Sequence, residues 1–234
     1  MRSGRTVGLW VAAAVMLVAT VGLYLWEPDA GTNRFTQDDR EQLDAAIAKA
    51  ATYYEFGHYE RAVESYETAI ERGMNDALQW YRYAHATELS GGDYLHAYAR
   101  AYELLLRQES THEYLAEAEA VLRDEAVDFE FRAFQEGEQP PGTLVALEGT
   151  VSRVVWGRVE SNTDRLFVAT REDDWLGHSG EEILVVVPRH RRFRPGDTVF
   201  IAGFYTGRCM QDMGSGVARE YLCLEAAGAR LLGP

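Results

Sequence analysis

Four sulfur donors lie close together near the end of the chain: Cys209, Met210, Met213 and Cys223. Thiolate and thioether are the ligands that Cu(I) favours. Their spacing is irregular, however, and methionine is an ordinary filler of core gaps. The simpler reading is a disulfide between Cys209 and Cys223 in an oxidising space, with two buried free thiols as the other alternative. His178 and Ser179 follow the acidic run Glu172-Asp173-Asp174, which puts a base and a hydroxyl beside carboxylates. The surrounding REDDWLGHSGEE reads more simply as a polar loop between strands. Arg189, Arg191, Arg192 and Arg194, interleaved with His190 and Phe193, have the aromatic-among-arginine pattern that stacking on single-stranded nucleic acid uses. Beside Pro195 and in a nearly neutral half of the chain, they read instead as a solvated loop or a contact for an acidic protein face or a lipid headgroup. Trp156 and Trp175 join them as surface candidates. The chain has no HExxH pair, phosphate loop or CxxCH signature, so the expectation is a protein that is not an enzyme and holds neither cofactor nor metal.

The elements that would position these residues begin with Val7–Trp26, twenty residues without a charge, preceded by Arg2 and Arg5. A helix of that length crosses a hydrocarbon core of roughly 30 Å, with the basic flank on the cytoplasmic side. The expectation is a transmembrane anchor, with residues 1–6 cytoplasmic and the rest extracytoplasmic, in the periplasm of a Gram-negative cell. A cleaved signal peptide and a cytoplasm-facing topology are the alternatives. Charge then divides the remainder. Residues 27–141 carry 25 acidic and 10 basic side chains, whereas residues 142–234 carry 12 and 11. The acidic part repels nucleic acid and suits basic partners. Two prolines and flanking glycines within residues 137–142 mark a linker between domains at 39–136 and 143–234, and residues 27–38 form another after the anchor.

Residues 39–134 have helical periodicity. Leu43, Ala46, Ile47, Ala50, Tyr53 and Tyr54 share one face, as do Ala62, Val63, Tyr66, Ala69 and Ile70 on a second run, with Phe56-Gly57-His58-Tyr59 as the turn. Ala50, Tyr53, Gly57, Tyr59, Ala62, Tyr66 and Ala69 make this unit resemble a tetratricopeptide repeat. A looser copy follows with Trp80, Tyr83, Ala84, Gly91, Tyr94, Ala97 and Ala101. A long capping helix from Ser110 or Thr111 toward Phe134 would close the array. The resemblance implies a protein-binding surface, for which Tyr54, Tyr81, Arg82, Tyr98 and Arg100 are the candidates.

After Pro141 the period changes to two. LVALEGTVSRVVW, DRLFVATR, EEILVVVP, DTVFIAGFYTG and EYLCLEAAGARLL read as five strands. EGTVSRVV and RPGDTVFIAGFYTG resemble an oligonucleotide/oligosaccharide-binding (OB) fold, which implies a small barrel over residues 143–232; another barrel topology or a sandwich is the alternative. The expected fold class is thus α+β multidomain: a transmembrane helix, all-α repeats and an all-β barrel. The expected function is a membrane-anchored, non-catalytic adaptor that binds proteins of a membrane or envelope complex. An accessory module whose barrel holds a glycan, copper or a lipid headgroup is the alternative. No nucleic acid partner is expected, and the oligomeric state is open.

Overall fold

The computed structural model describes residues 36–108, 113–157, 162–170, 182–189, 193–212 and 218–233. The chain divides into two units, Met1–Gln42 and Leu43–Pro234. In the first, the described residues open helix α1 (Gln37–Glu55). Thr36 N–H donates to Asp39 Oδ2 at 3.0 Å and Asp39 N–H donates to Thr36 Oγ1 at 3.2 Å, a reciprocal cap that satisfies two amides the helix leaves unpaired.

Among the described residues no helix is long and apolar enough to cross a membrane. The longest, α1, has 19 residues but carries Asp38, Asp39, Arg40, Glu41, Asp44 and Lys49 along it. The expected anchor Val7–Trp26 lies outside the described residues. The membrane-anchored architecture, its topology and its extracytoplasmic or periplasmic location are corrected accordingly.

In the second unit α1 is followed by α2 (Tyr59–Glu71), α3 (Ala77–Leu89), α4 (Leu95–Arg107), α5 (Glu113–Glu125) and a short α6 (Phe131–Glu136). α1 and α3 end in the same way. Gly57 and Gly91 adopt φ of 73° and 77°, and the amides after each turn reach back to the last carbonyls: His58 N–H to Tyr53 O at 2.9 Å and Gly92 N–H to Thr87 O at 2.8 Å. A side chain at either glycine would be strained in this left-handed region. Asp76 starts α3 by accepting from Gln79 N–H at 2.9 Å. Small residues then let the helices approach: Ala46, Ala50, Ala62, Ala69 and Ala86 are buried around Tyr66 and Met74.

Among the described residues there are six strands, the first of them before α6: β1 (Val127–Asp128), β2 (Leu144–Val155), β3 (Thr163–Ala169), β4 (Glu182–Pro188), β5 (Thr198–Asp212) and β6 (Ala218–Gly233). They form one mixed sheet in the order β1-β2-β3-β4-β6-β5, with β2 also pairing β5. β1–β2 and β4–β6 are parallel and the other pairings antiparallel. A bulge at Ser152 divides β2, whose first half pairs β5 and whose second half pairs β3. Irregular register at Tyr205/Gly207 carries β5 past the glycine where the sequence pattern predicts its end, giving long partners in β5 and β6.

The core explains why helices and sheet form one unit. Val145, Leu147, Val151, Leu166, Val168, Ile183, Val185, Ile201 and Leu224 fill the sheet's inner side, with Phe134 of α6 fully buried among them. Leu144, Phe200 and Ala202 instead join Tyr81, Tyr98, Tyr102, Leu104, Leu105 and Leu122 in the helical core. Gly228 makes the closest approach: a Cβ there would press on Leu106 Cδ1 and meet Tyr102 Cε1 at 3.0 Å, so the glycine lets α4 lie against β6 without displacing these side chains. The expected array of repeats followed by a separate five-stranded barrel is corrected to an α+β unit with a six-stranded mixed sheet, because the sheet spends part of its apolar surface on the helices. The long capping helix is also divided: α5 ends at Glu125, and Val127 and Asp128 leave helical geometry to pair beside Val145 and Ala146.

Candidate functional site

Tyr54 on α1, Tyr81, Arg82 and His85 on α3, and Tyr114 and Glu117 on α5 converge on one side of the helices. Tyr81 and His85 are four residues apart and Tyr114 and Glu117 three apart, the spacings that place side chains on one helical face. The Tyr54 hydroxyl and His85 Nδ1 share a hydrogen bond at 2.6 Å. His85 stacks on Tyr81 with ring centres 6.2 Å apart, and Tyr114 tilts against Tyr81 at 4.8 Å. The Tyr81 hydroxyl donates to Glu117 Oε2. The Arg82 guanidinium lies 5.9 Å from the centre of the Tyr54 ring. Tyr81 is buried, Tyr54, Arg82, His85 and Tyr114 are half-buried, and Glu117 is exposed.

This arrangement presents aromatic area and keeps the Tyr54 and Tyr81 phenols neutral. Burial raises the Tyr81 hydroxyl above its ordinary value of 10.0, and Glu117 raises it further by accepting its proton in a hydrogen bond and by charge. Burial, then Tyr59, raises Tyr54, while Arg82 opposes the shift. Both changes disfavour the phenolate, the form a tyrosine needs to act as a base or nucleophile. Among the described residues no group of three His, Cys, Asp or Glu is placed to hold a metal ion.

The other candidates from the sequence are dispersed. Tyr98 is a core residue whose hydroxyl donates to Glu88 at 2.7 Å. Arg100 is engaged by Glu103 and by Asn75 Oδ1 at 2.8 Å. Arg189 donates to buried Asp164 at 2.8 Å and to Gly157 O at 2.7 Å, holding β4 to the end of β2. Arg194 sits in an exposed turn where its N–H donates to Asp197 Oδ2 at 2.8 Å. Trp156 is exposed at the end of β2. Cys209 and Cys223 are joined as a disulfide across β5 and β6, with Cα atoms 6.0 Å apart. Trp175, His178, His190, Arg191, Arg192 and Met213 lie outside the described residues.

Sequence reasoning missed His85, Tyr114 and Glu117, since nothing local ties Tyr81 to a carboxylate 36 positions away. It also missed the junction between α5 and the sheet. Glu119, 9% exposed, receives both Nε and Nη2 of Arg230 at 2.7 Å, Arg123 Nε at 3.2 Å and the Tyr102 hydroxyl at 3.2 Å. Burial opposes ionisation of Glu119. Hydrogen bonds and charge from Arg230, with further hydrogen bonds from Tyr102 and Arg123, prevail and hold the carboxyl below its ordinary value.

No family model matches the chain, and no curated protein is significantly similar to it. The tetratricopeptide and OB resemblances are therefore corrected to a mixed fold of helices and one sheet, without a family name attached to either part. The membrane-anchored adaptor and the barrel that holds a ligand lose the structural elements on which they rested.

Proposed function

We propose that the chain is a non-catalytic protein-binding module whose docking site is the aromatic face made by Tyr54, Tyr81, His85 and Tyr114. The observation that carries this reading is the fixed presentation of three half-buried rings, Tyr54, His85 and Tyr114, around buried Tyr81, with Tyr81 tied to Glu117 and Tyr54 tied to His85. Tyrosine contributes large contact area at low entropy cost, and rings already held in place lose little further freedom on binding. The raised Tyr54 and Tyr81 hydroxyls argue against general-base or nucleophilic work at this face. The occupant is a peptide segment of another protein lying across α1, α3 and α5.

The test is selection from a peptide library displayed on phage, using the folded chain as bait, followed by solution binding of the selected peptides to the parent and to Tyr114→Ser. Tyr114 is chosen because it is half-buried, so its loss leaves the core in place. Loss of binding in Tyr114→Ser with an unchanged circular dichroism spectrum is the expected result. Selected peptides that bind parent and variant equally would overturn the assignment.

A further inference from the structure

Glu117 and Glu119 leave the same helix two residues apart, and each accepts from a tyrosine hydroxyl: Tyr81 to Glu117 and Tyr102 to Glu119. Their remaining valences differ. Glu119 is completed by two arginines of this chain. Glu117 is exposed, uses only Oε2 toward Tyr81, and has no cation paired with it among the described residues. The arginines nearby in sequence are engaged elsewhere: Arg100 and Arg107 both pair with Glu103, and Arg123 pairs with Glu119 and Glu148. Arg82 is placed over the Tyr54 ring, which directs an incoming cation to the Tyr81–Tyr114 side. The sequence around this face has an acidic excess, with 25 acidic against 10 basic side chains over residues 27–141.

From this geometry we infer that the face recognises an arginine side chain of its partner, the guanidinium donating to Glu117 while lying against the half-buried Tyr114 ring. This rests on the docking reading above and names the chemistry of the occupant. A planar guanidinium suits both neighbours: its N–H groups reach a carboxylate oxygen in plane while its face stacks on an aromatic ring. The same chain uses this pairing internally: the Arg123 guanidinium bonds Glu119 and Glu148 while lying 3.7 Å from the Phe200 ring centre. Lysine offers charge without the flat face, and an acidic segment meets the net field of the helices unfavourably.

The experiment measures binding of three peptides to the full chain by NMR titration: acetyl-Gly-Ser-Arg-Gly-Arg-Ser-Gly-amide, the same peptide with citrulline for each arginine, and the same with glutamate. Citrulline keeps the shape of the guanidinium and removes its charge. The arginine peptide is expected to bind about five-fold tighter than the citrulline peptide. Glu117→Gln, which retains an oxygen for Tyr81, should erase that difference. Glu64→Gln, an equal charge change on the exposed side of α2, should leave it intact. Equal affinity for arginine and citrulline, or equal losses in Glu117→Gln and Glu64→Gln, overturns the inference. Preference for the glutamate peptide, lost in Arg82→Gln, overturns the arginine assignment while the docking face stands. If all three peptides leave the Tyr54, Tyr81 and Tyr114 signals unmoved and library-selected peptides also ignore Tyr114→Ser, the docking face itself fails.

Discussion

The two faces of α5 use one chemical pairing for opposite ends. On the inner face Tyr102 and Glu119 meet Arg230 from β6, and the polar groups are satisfied within the molecule. On the outer face Glu117 accepts from buried Tyr81, meets no cation from the described residues and stays exposed. A buried carboxylate must be completed from inside, because an unpaired charge there costs several kcal/mol. An exposed one is solvated and free to exchange water for a partner. The same two residue types thus fasten sheet to helix on one side and present a site on the other. Burial and the availability of an internal arginine, rather than residue type, decide which.

Substitutions that attack the inner face should have the largest effects. Tyr102→Ala removes a fully buried ring and should cost about 4 kcal/mol of unfolding free energy, read by urea denaturation. Arg230→Met leaves Glu119 with Arg123 and the Tyr102 hydroxyl and should cost about 2 kcal/mol, below the roughly 3–5 kcal/mol of a fully broken buried pair because those partners remain. Gly228→Ala should cost about 1–3 kcal/mol by pushing on Leu106 and Tyr102. At the outer face Glu117→Gln should change stability by less than about 0.5 kcal/mol. A loss as large as that of Arg230→Met would erase the distinction between the two faces.

Titration sharpens the same contrast. The Glu119 carboxyl is depressed in the folded state, so its contribution is present above the ordinary value of 4.5 and fades as pH falls through the lower folded value. In Glu119→Gln, paired with a compensating Arg230→Met, that acid-side loss should be smaller when denaturation is followed from pH 6 down to about pH 3. The tyrosines act at the other end. Tyr54, Tyr66, Tyr81, Tyr98 and Tyr102 are all raised above 10.0, chiefly by burial, with Tyr66 at about 12. Raised acids stabilise the fold below their unfolded value and lose that contribution as pH rises above about 10. The part of the phenolate absorbance near 295 nm that comes from these five tyrosines should therefore rise together with loss of helical circular dichroism rather than ahead of it.

The alternation of periods marked much of what forms these elements. Ala46, Ala50, Ala62, Tyr66 and Ala69, on predicted inner faces, are buried, and each of the five apolar runs after Pro141 contains a strand. Periodicity is a local signal, so it carried no information on how sheet and helices share a core. Phe200 and Ala202 alternate like other strand residues, yet they pack on helices that precede them by about a hundred positions. Val127–Asp128 is too short for an alternating pattern, and only pairing with β2 identifies it as a strand. The site was legible in part. Tyr54, Tyr81 and Arg82 do share the face, whereas Tyr98 and Arg100 are consumed by Glu88 and Glu103. Glu117 and Glu119 look alike in AEAEA, and what separates them is Arg230, 111 positions away from Glu119.

The most direct measurement is a residue-resolved map of NMR shift changes as the arginine peptide is added to the isotope-labelled chain. The account predicts that the changes concentrate on Tyr54, Tyr81, His85, Tyr114 and Glu117 and leave Tyr102, Glu119 and Arg230 unmoved. Changes centred on the sheet, or spread evenly over the acidic helices, would contradict it.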